Sequence, residues 1–213
     1  MLFKNTSYVL LFMIGFYSCS SISSKKKSNM TFSKFSQLWF VKYRKSTQVS
    51  KDWIPFKRAD VELVHKKRWQ ERIINDTAFV YIIDSLDDKR IVSAIIQSKK
   101  NNGILNIVTY LNMVEEDIKA DTSGKNVVLD FYEVPLTKHS SLIFGNVIFN
   151  SYTIKMCFAD DKTNIYEFMM SLPTNSFSDT HMKEFNQFIN NFRYNDASVI
   201  SIRDSFIINK IID

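Results

Sequence analysis

Hydrophobic and polar residues alternate in short blocks along this chain. The blocks predict a run of strands, a helix, a second run of strands and a closing helix. Leu38-Trp-Phe-Val-Lys-Tyr-Arg44 is rich in strand formers and is the first strand expected. From Asp60 to Lys67 the pattern has a period of two. Val61, Leu63 and His65 fall on one side, and Glu62, Val64 and Lys66 on the other. Thr77–Ile83 is continuously apolar, as a central strand covered on both faces would be. Asp87-Asp88-Lys89 reads as a turn, and Ile91–Gln97 as a further strand whose short apolar run is also compatible with a helix. The clearest helix spans Ile104 to Ile118, with Ile104, Ile107, Val108, Leu111, Val114 and Ile118 in one apolar stripe and Gly124 shortly beyond its end. Asn126–Val134 then reads as a strand stopped by Pro135. Ser141–Phe149 follows, with Gly145 marking a bulge or a close approach.

The best hairpin pairs Tyr152–Phe158 with Asn164–Leu172 around the polar turn Ala159–Thr163, and Pro173 closes its second strand. Ser178 is a candidate N-cap for a second helix whose buried stripe is Met182, Phe185, Phe188, Ile189 and Phe192. The end is ambiguous: Val199–Ile202 suggests a strand and Ser205–Ile212 a helix. Runs of strands broken by single helices predict the α+β class, a mostly antiparallel sheet with helices packed on it. The chain has 213 residues, 45% of them hydrophobic and 14% aromatic. That is enough for one domain with a real core, expected at 38–195 and followed by a tail at 196–213. With only 4 Gly, tight phosphate-cradling loops are disfavoured.

The first 18 residues read as a leader. Lys4 precedes the apolar run Tyr8–Phe16, which is too short to span a bilayer and suits a signal peptide. Ordinary signal cleavage wants small residues one and three before the cut; Ser18 fits and Phe16 does not. A lipoprotein peptidase wants an apolar residue, a small residue and then Cys. Phe16, Ser18 and Cys19 resemble that box loosely, with Tyr17 bulky between them. The expectation is cleavage before Cys19 and a lipid on its sulfur. Plain secretion and an uncleaved anchor are the alternatives. Lipidation would leave Cys157 without an intramolecular disulfide partner. Cys157 sits in an apolar strand and reads as a small core residue.

Charge changes the picture further. Nine basic residues precede the first acidic one, Asp52. Removing these nine from the net +6 leaves −3 for residues 52–213. The positive charge therefore belongs to the leader and the polar, Ser- and Lys-rich stretch behind it, with 19–37 expected as a lipidated linker. It is a solvated tether, or it is drawn to anionic headgroups beside the anchor, where each Lys or Arg contributes about 1 kcal/mol. In some Bacteroidetes lipoproteins an acidic cluster behind the cysteine accompanies surface display. Lysines stand there in this chain, which favours a periplasm-facing position. No basic array marks the body, so nucleic acid is not an expected partner.

From about 38 to 194 the element order resembles the PsbP-like fold, that of the extrinsic P subunit of photosystem II. The features are Lys51-Asp-Trp53, the mid-chain amphipathic helix, the strand Val127–Val134, the hairpin with Tyr166-Glu-Phe168, and Phe185-Asn-Gln-Phe-Ile-Asn-Asn-Phe192. The stretch Lys66–Asp76 and the tail beyond Asn195 depart from that pattern. The resemblance implies an α+β fold and a binding or assembly factor rather than an enzyme.

Local chemistry is sparse. His65, His139 and His181 lie far apart, with no helical pair to hold a metal. His65 with Glu62 nearby is the one general-base candidate, set against a satisfied histidine in a strand. Asp84, Asp87 and Asp88 read as a solvated turn rather than a calcium loop, and Asp160 and Asp161 likewise. No serine sits in a Gly-flanked elbow. No cofactor, metal or catalytic group is expected. In Lys66-Lys-Arg-Trp-Gln-Glu-Arg72 the tryptophan has charged neighbours on both sides. Trp69 is therefore expected to be exposed and, with Arg68 and Arg72, to mark a partner-binding surface. The functional expectation is an envelope lipoprotein that binds or helps assemble another envelope protein. An immunity-type inhibitor is a related case. The alternatives are a carrier of small hydrophobic ligands and an enzyme with dispersed residues.

Overall fold

The fold is that of a computed structural model. It describes residues 28–30, 51–84, 89–104, 106–121, 127–135, 141–149, 151–200 and 208–212. Its strands are β1 Ser28–Met30, β2 Trp53–Arg58, β3 Val61–Lys66, β4 Gln70–Ile74, β5 Ala78–Ile82, β6 Ile91–Ser98, β7 Val128–Pro135, β8 Ser141–Phe149, β9 Tyr152–Asp160, β10 Asn164–Pro173, β11 Arg193–Tyr194, β12 Ala197–Ser198 and β13 Ile208–Ile212. Helix α1 is Ile107–Asp121 and helix α2 is Asp179–Asn190. Nine strands form one antiparallel sheet in the order β1-β13-β7-β8-β9-β10-β6-β5-β4. Four more form a small sheet, β12-β11-β3-β2. The α+β class is as expected.

Neighbouring residues of the large sheet feed opposite cores, as a period of two requires. On β9, Phe158 joins one core and Cys157 and Ala159 the other. The first core takes in Ile107, Tyr110, Leu111 and Val114 of α1. The second takes in Phe185, Phe188 and Ile189 of α2 with Val61 and Leu63 of the small sheet. The large sheet is thus the middle of three layers.

Local chemistry explains the boundaries. Asn106 caps α1, its Oδ1 accepting the Thr109 N–H at 3.0 Å. The β4–β5 and β9–β10 turns use the same device. Asn75 Oδ1 accepts from the Thr77 and Ala78 amides, and Asp161 Oδ1 from those of Thr163 and Asn164. Asn195 and Asp196 have φ of 50° and 57°, the left-handed pair that a tight two-residue hairpin needs. Gly145 is a close approach: an added Cβ would lie 2.4 Å from Phe131 Cε1.

Four details differ from the expectation. Val108 is 39% exposed, and Tyr110 takes its place in the buried stripe of α1. Strand β9 runs on to Asp160, so the predicted turn shrinks to its last three residues. Toward the end, Ala197–Ser198 is a strand and Val199–Ile200 is not, while 201–202 lie outside the described residues. Ile208–Ile212 is a strand on β7, its helical alternative losing to an open sheet edge. The expected strand at Leu38–Arg44 lies outside the described residues.

Candidate interaction corner

The Lys66–Arg72 stretch turns the chain from the small sheet into the large one. Strand β3 ends at Lys66. The Lys67 N–H then donates to the Asp52 carbonyl, and the Trp69 N–H to the Lys66 carbonyl, both at 3.0 Å. This reversal sends Trp69 inward. It is 4% exposed. Its indole meets Trp53 edge-on at 5.4 Å and Phe188 at 5.9 Å, and lies tilted against Tyr81 at 6.2 Å. The expected exposed tryptophan is therefore corrected: Trp69 is a core residue joining both sheets to α2. Polar neighbours at i±1, here Arg68 and Gln70, do not mark an exposed residue in extended chain, because adjacent side chains leave on opposite sides.

Its two arginines sit differently. Arg68 keeps half its side chain in solvent while donating to Glu184 Oε2 at 2.6 Å. Lys66 Nζ lies 3.7 Å from Glu184 Oε1 and 5.1 Å from the centroid of the Trp53 ring. Glu184 itself is buried on α2. A carboxylate removed from water needs such partners, so the charges of this corner fasten α2 to the β3–β4 turn. Arg72 is half-buried on β4, between Glu71 and Ile73, where the pairing with β5 shifts register. The structure thus brings Arg68 and Arg72 onto one segment and withdraws Trp69 from between them.

The other candidates fall as follows. His65 is buried and stacks on Tyr81 at 4.7 Å with 17° between the rings. Its Nδ1 is 3.1 Å from the Lys66 carbonyl oxygen. Glu62, three residues away on the same strand, leaves from the opposite face and accepts from Lys57 at 2.7 Å. The strand period therefore separates the proposed base from its carboxylate. His181 is half-buried at the start of α2, with Ser178 Oγ 2.9 Å from its Nδ1. Burial first, with Arg68 and Arg90 nearby, lowers the His181 pKa, against an opposing pull from Glu184. Asp84 is paired with Arg90 at 2.9 Å. Among the described residues no group of three or more His, Cys, Asp or Glu is placed to hold a metal. Cys157 is fully buried, which pushes its thiol pKa far up. Cys19 and His139 lie outside the described residues.

Sequence reasoning missed buried polar pairs: Asp160, expected in a solvated turn, has a buried side chain and accepts from Lys99 at 2.7 Å. Tyr110 of α1 donates to Glu167 Oε2 of β10 at 2.6 Å. Burial raises the Glu167 pKa, with the Tyr110 hydrogen bond pulling the other way. Glu167 hides in a strand covered on both faces, where alternation carries no warning of a polar core position.

Comparison with known proteins gives little beyond the fold. No protein-family model matches the sequence, and no curated protein matches it significantly. Among solved structures, the chain is similar to cyanobacterial PsbP from Synechocystis sp. PCC 6803, with 12% identity and a TM-score of 0.45. That likeness covers 84% of this chain and 98% of the other.

Proposed function

We propose that the chain is an exported lipoprotein, cleaved before Cys19 and held to a membrane by lipid on that residue. Its body acts there as a binding or assembly module for another envelope protein. The observation supporting this reading is the aromatic packing between the large sheet and α2 among the described residues. Where a carrier would need a pocket between sheet and helix, Trp69, Tyr81, Phe188, Phe79, Phe192 and Phe168 touch ring to ring at 5.0–6.3 Å. Recognition is left to the exterior, where charged residues such as Lys57, Lys67 and Arg68 face solvent. The separation of His65 from Glu62 removes the pair on which the enzyme alternative leaned. The leader pattern at Phe16–Cys19 and the lysines behind it support a periplasm-facing tether. An immunity-type inhibitor is the special case in which the partner is an incoming toxin.

Two measurements test this. Metabolic labelling with an alkynyl fatty acid is expected to mark the wild type and not Cys19→Ser, and an unlabelled wild type overturns the anchor. Mild crosslinking in native membranes, followed by mass identification, is expected to yield one protein in near-equal amount. Recovery of the chain alone overturns the binding module.

A further inference from the structure

We propose that Asn102-Gly103, in the connection between β6 and α1, is a self-modification site. Asn102 converts there through a cyclic imide to aspartyl and isoaspartyl residues, and the conversion loosens α1. This is the single Asn-Gly pair in the chain. Asn101, Asn102 and Gly103 are all exposed. The flanking amides are held: the Asn102 N–H donates to the Ser98 carbonyl at 3.2 Å and the Ile104 N–H to the Lys99 carbonyl at 3.0 Å. Between them, the Gly103 N–H meets no acceptor among the described residues. Gly103 has no Cβ to shield its nitrogen, and its φ of 64° suits glycine. The Gly103 nitrogen attacks Asn102 Cγ and forms the ring C–N bond. The side-chain amide leaves as ammonia, taking the proton of the Gly103 nitrogen. Water then opens one of the two imide carbonyls, its hydroxyl going to carbon and its proton to nitrogen. Opening at Cγ gives the aspartyl residue, and opening at the main-chain carbonyl gives the isoaspartyl one.

The amide that is lost belongs to a chain of hydrogen bonds. Asn102 Nδ2 donates to Gln97 Oε1 at 3.0 Å. The Gln97 side chain bonds in turn to the Tyr110 hydroxyl, which donates to Glu167 Oε2 at 2.6 Å. An exposed amide is thus joined through β6 and α1 to a buried carboxyl of β10. Conversion replaces the Asn102 donor by a carboxylate, which only accepts. It then faces Gln97 Oε1, acceptor against acceptor. The Gln97 amide relieves this by turning its Nε2 toward the new charge and its oxygen toward Tyr110. The one phenol proton must then serve both Gln97 and Glu167, and the bond that ties α1 to β10 weakens. The isoaspartyl product also carries the main chain through the side-chain carbon, lengthening the connection just ahead of the Asn106 cap of α1.

The test warms the purified full-length protein, folded, at mildly alkaline pH and follows each asparagine by peptide mass mapping. Asn102 is expected to convert at least tenfold faster than Asn175, which is also exposed but precedes Ser176. Both products are expected at 102, and Asn102→Gln is expected to give neither. Conversion at Asn102 no faster than at Asn175, or seen only after unfolding in urea, overturns the modification site. The link to α1 is read separately by hydrogen exchange. Asn102→Asp is expected to speed exchange of the α1 amides around Tyr110 severalfold, whereas Asn102→Gln is not. Tyr110→Phe, which cuts the chain of bonds, is expected to make the helix insensitive to a further Asn102→Asp change. Unchanged exchange in Asn102→Asp, or the same increase with and without Tyr110, overturns the link.

Discussion

Replacing Trp69 by Ala separates the two roles that this residue has been given. The structure puts its indole between Trp53, Tyr81 and Phe188, at 5.4–6.2 Å from each, with 4% of the residue in solvent. Truncation removes those contacts and leaves a cavity where both sheets and α2 meet. Buried Trp→Ala changes cost about 3–5 kcal/mol. In a chain of this size each kcal/mol moves the melting temperature by roughly 2–4 °C, so a fall of roughly 6–20 °C is expected. Trp69→Phe should fall less. It retains an aromatic ring and removes Nε1, a buried donor with no hydrogen-bond partner among the described residues. The assay is thermal unfolding followed by near-ultraviolet circular dichroism on protein lacking the leader. A melting temperature within about 2 °C of wild type, together with lost partner binding, would return Trp69 to the surface and refute the core assignment.

Other expectations follow from the same packing. Gly145→Ala drives a methyl to 2.4 Å from the fully buried Phe131 ring, so an overpacking cost of about 1–3 kcal/mol is expected by urea denaturation. Glu167 has a folded pKa raised above its ordinary 4.5, so its stabilising contribution is complete below that pH and is lost as pH rises through the folded value. Glu167→Gln should therefore gain on wild type as pH rises from 4.5, and a constant difference in a pH series of denaturation curves would contradict it. Tyr110→Phe leaves that buried carboxyl without its donor and should cost about 1–3 kcal/mol at neutral pH in the same assay. His181 has the opposite sign: its folded pKa lies below 6.5, so stability is lost as pH falls from 6.5 through the folded value. His181→Gln should flatten that part of the melting-temperature profile.

Elements whose side chains obey a simple period were legible in the sequence. Strand β8 matches its expected span, Ser141–Phe149, and Met182, Phe185, Phe188, Ile189 and Phe192 are buried as a stripe at helical spacing implies. Gly145 was read as a close approach or a bulge, and the Phe131 ring beneath it decides for the first. Val108 was misplaced because a stripe drawn from hydrophobicity alone favours an aliphatic residue over Tyr110. The phenol end of Tyr110 reaches a polar partner that no local pattern shows. Trp69 was misplaced for a related reason. Its neighbours in sequence are polar, but its neighbours in space are Trp53, Tyr81 and Phe188, delivered by three other elements.

The same distinction separates the charges that hold the fold from those available for recognition. Glu184, Lys66 and Arg68 look on the sequence like parts of a solvated face. In the fold, Glu184 is buried, and Arg68 reaches it from a turn 116 residues away in the chain. A carboxylate at that depth is costly unless paired, so removing Arg68 would loosen α2 before it altered any surface. Arg68 therefore combines two duties: one face of its guanidinium fixes α2, and the remaining half of the side chain stays in solvent beside β4. Loss of binding in Arg68→Ala would by itself be ambiguous between them.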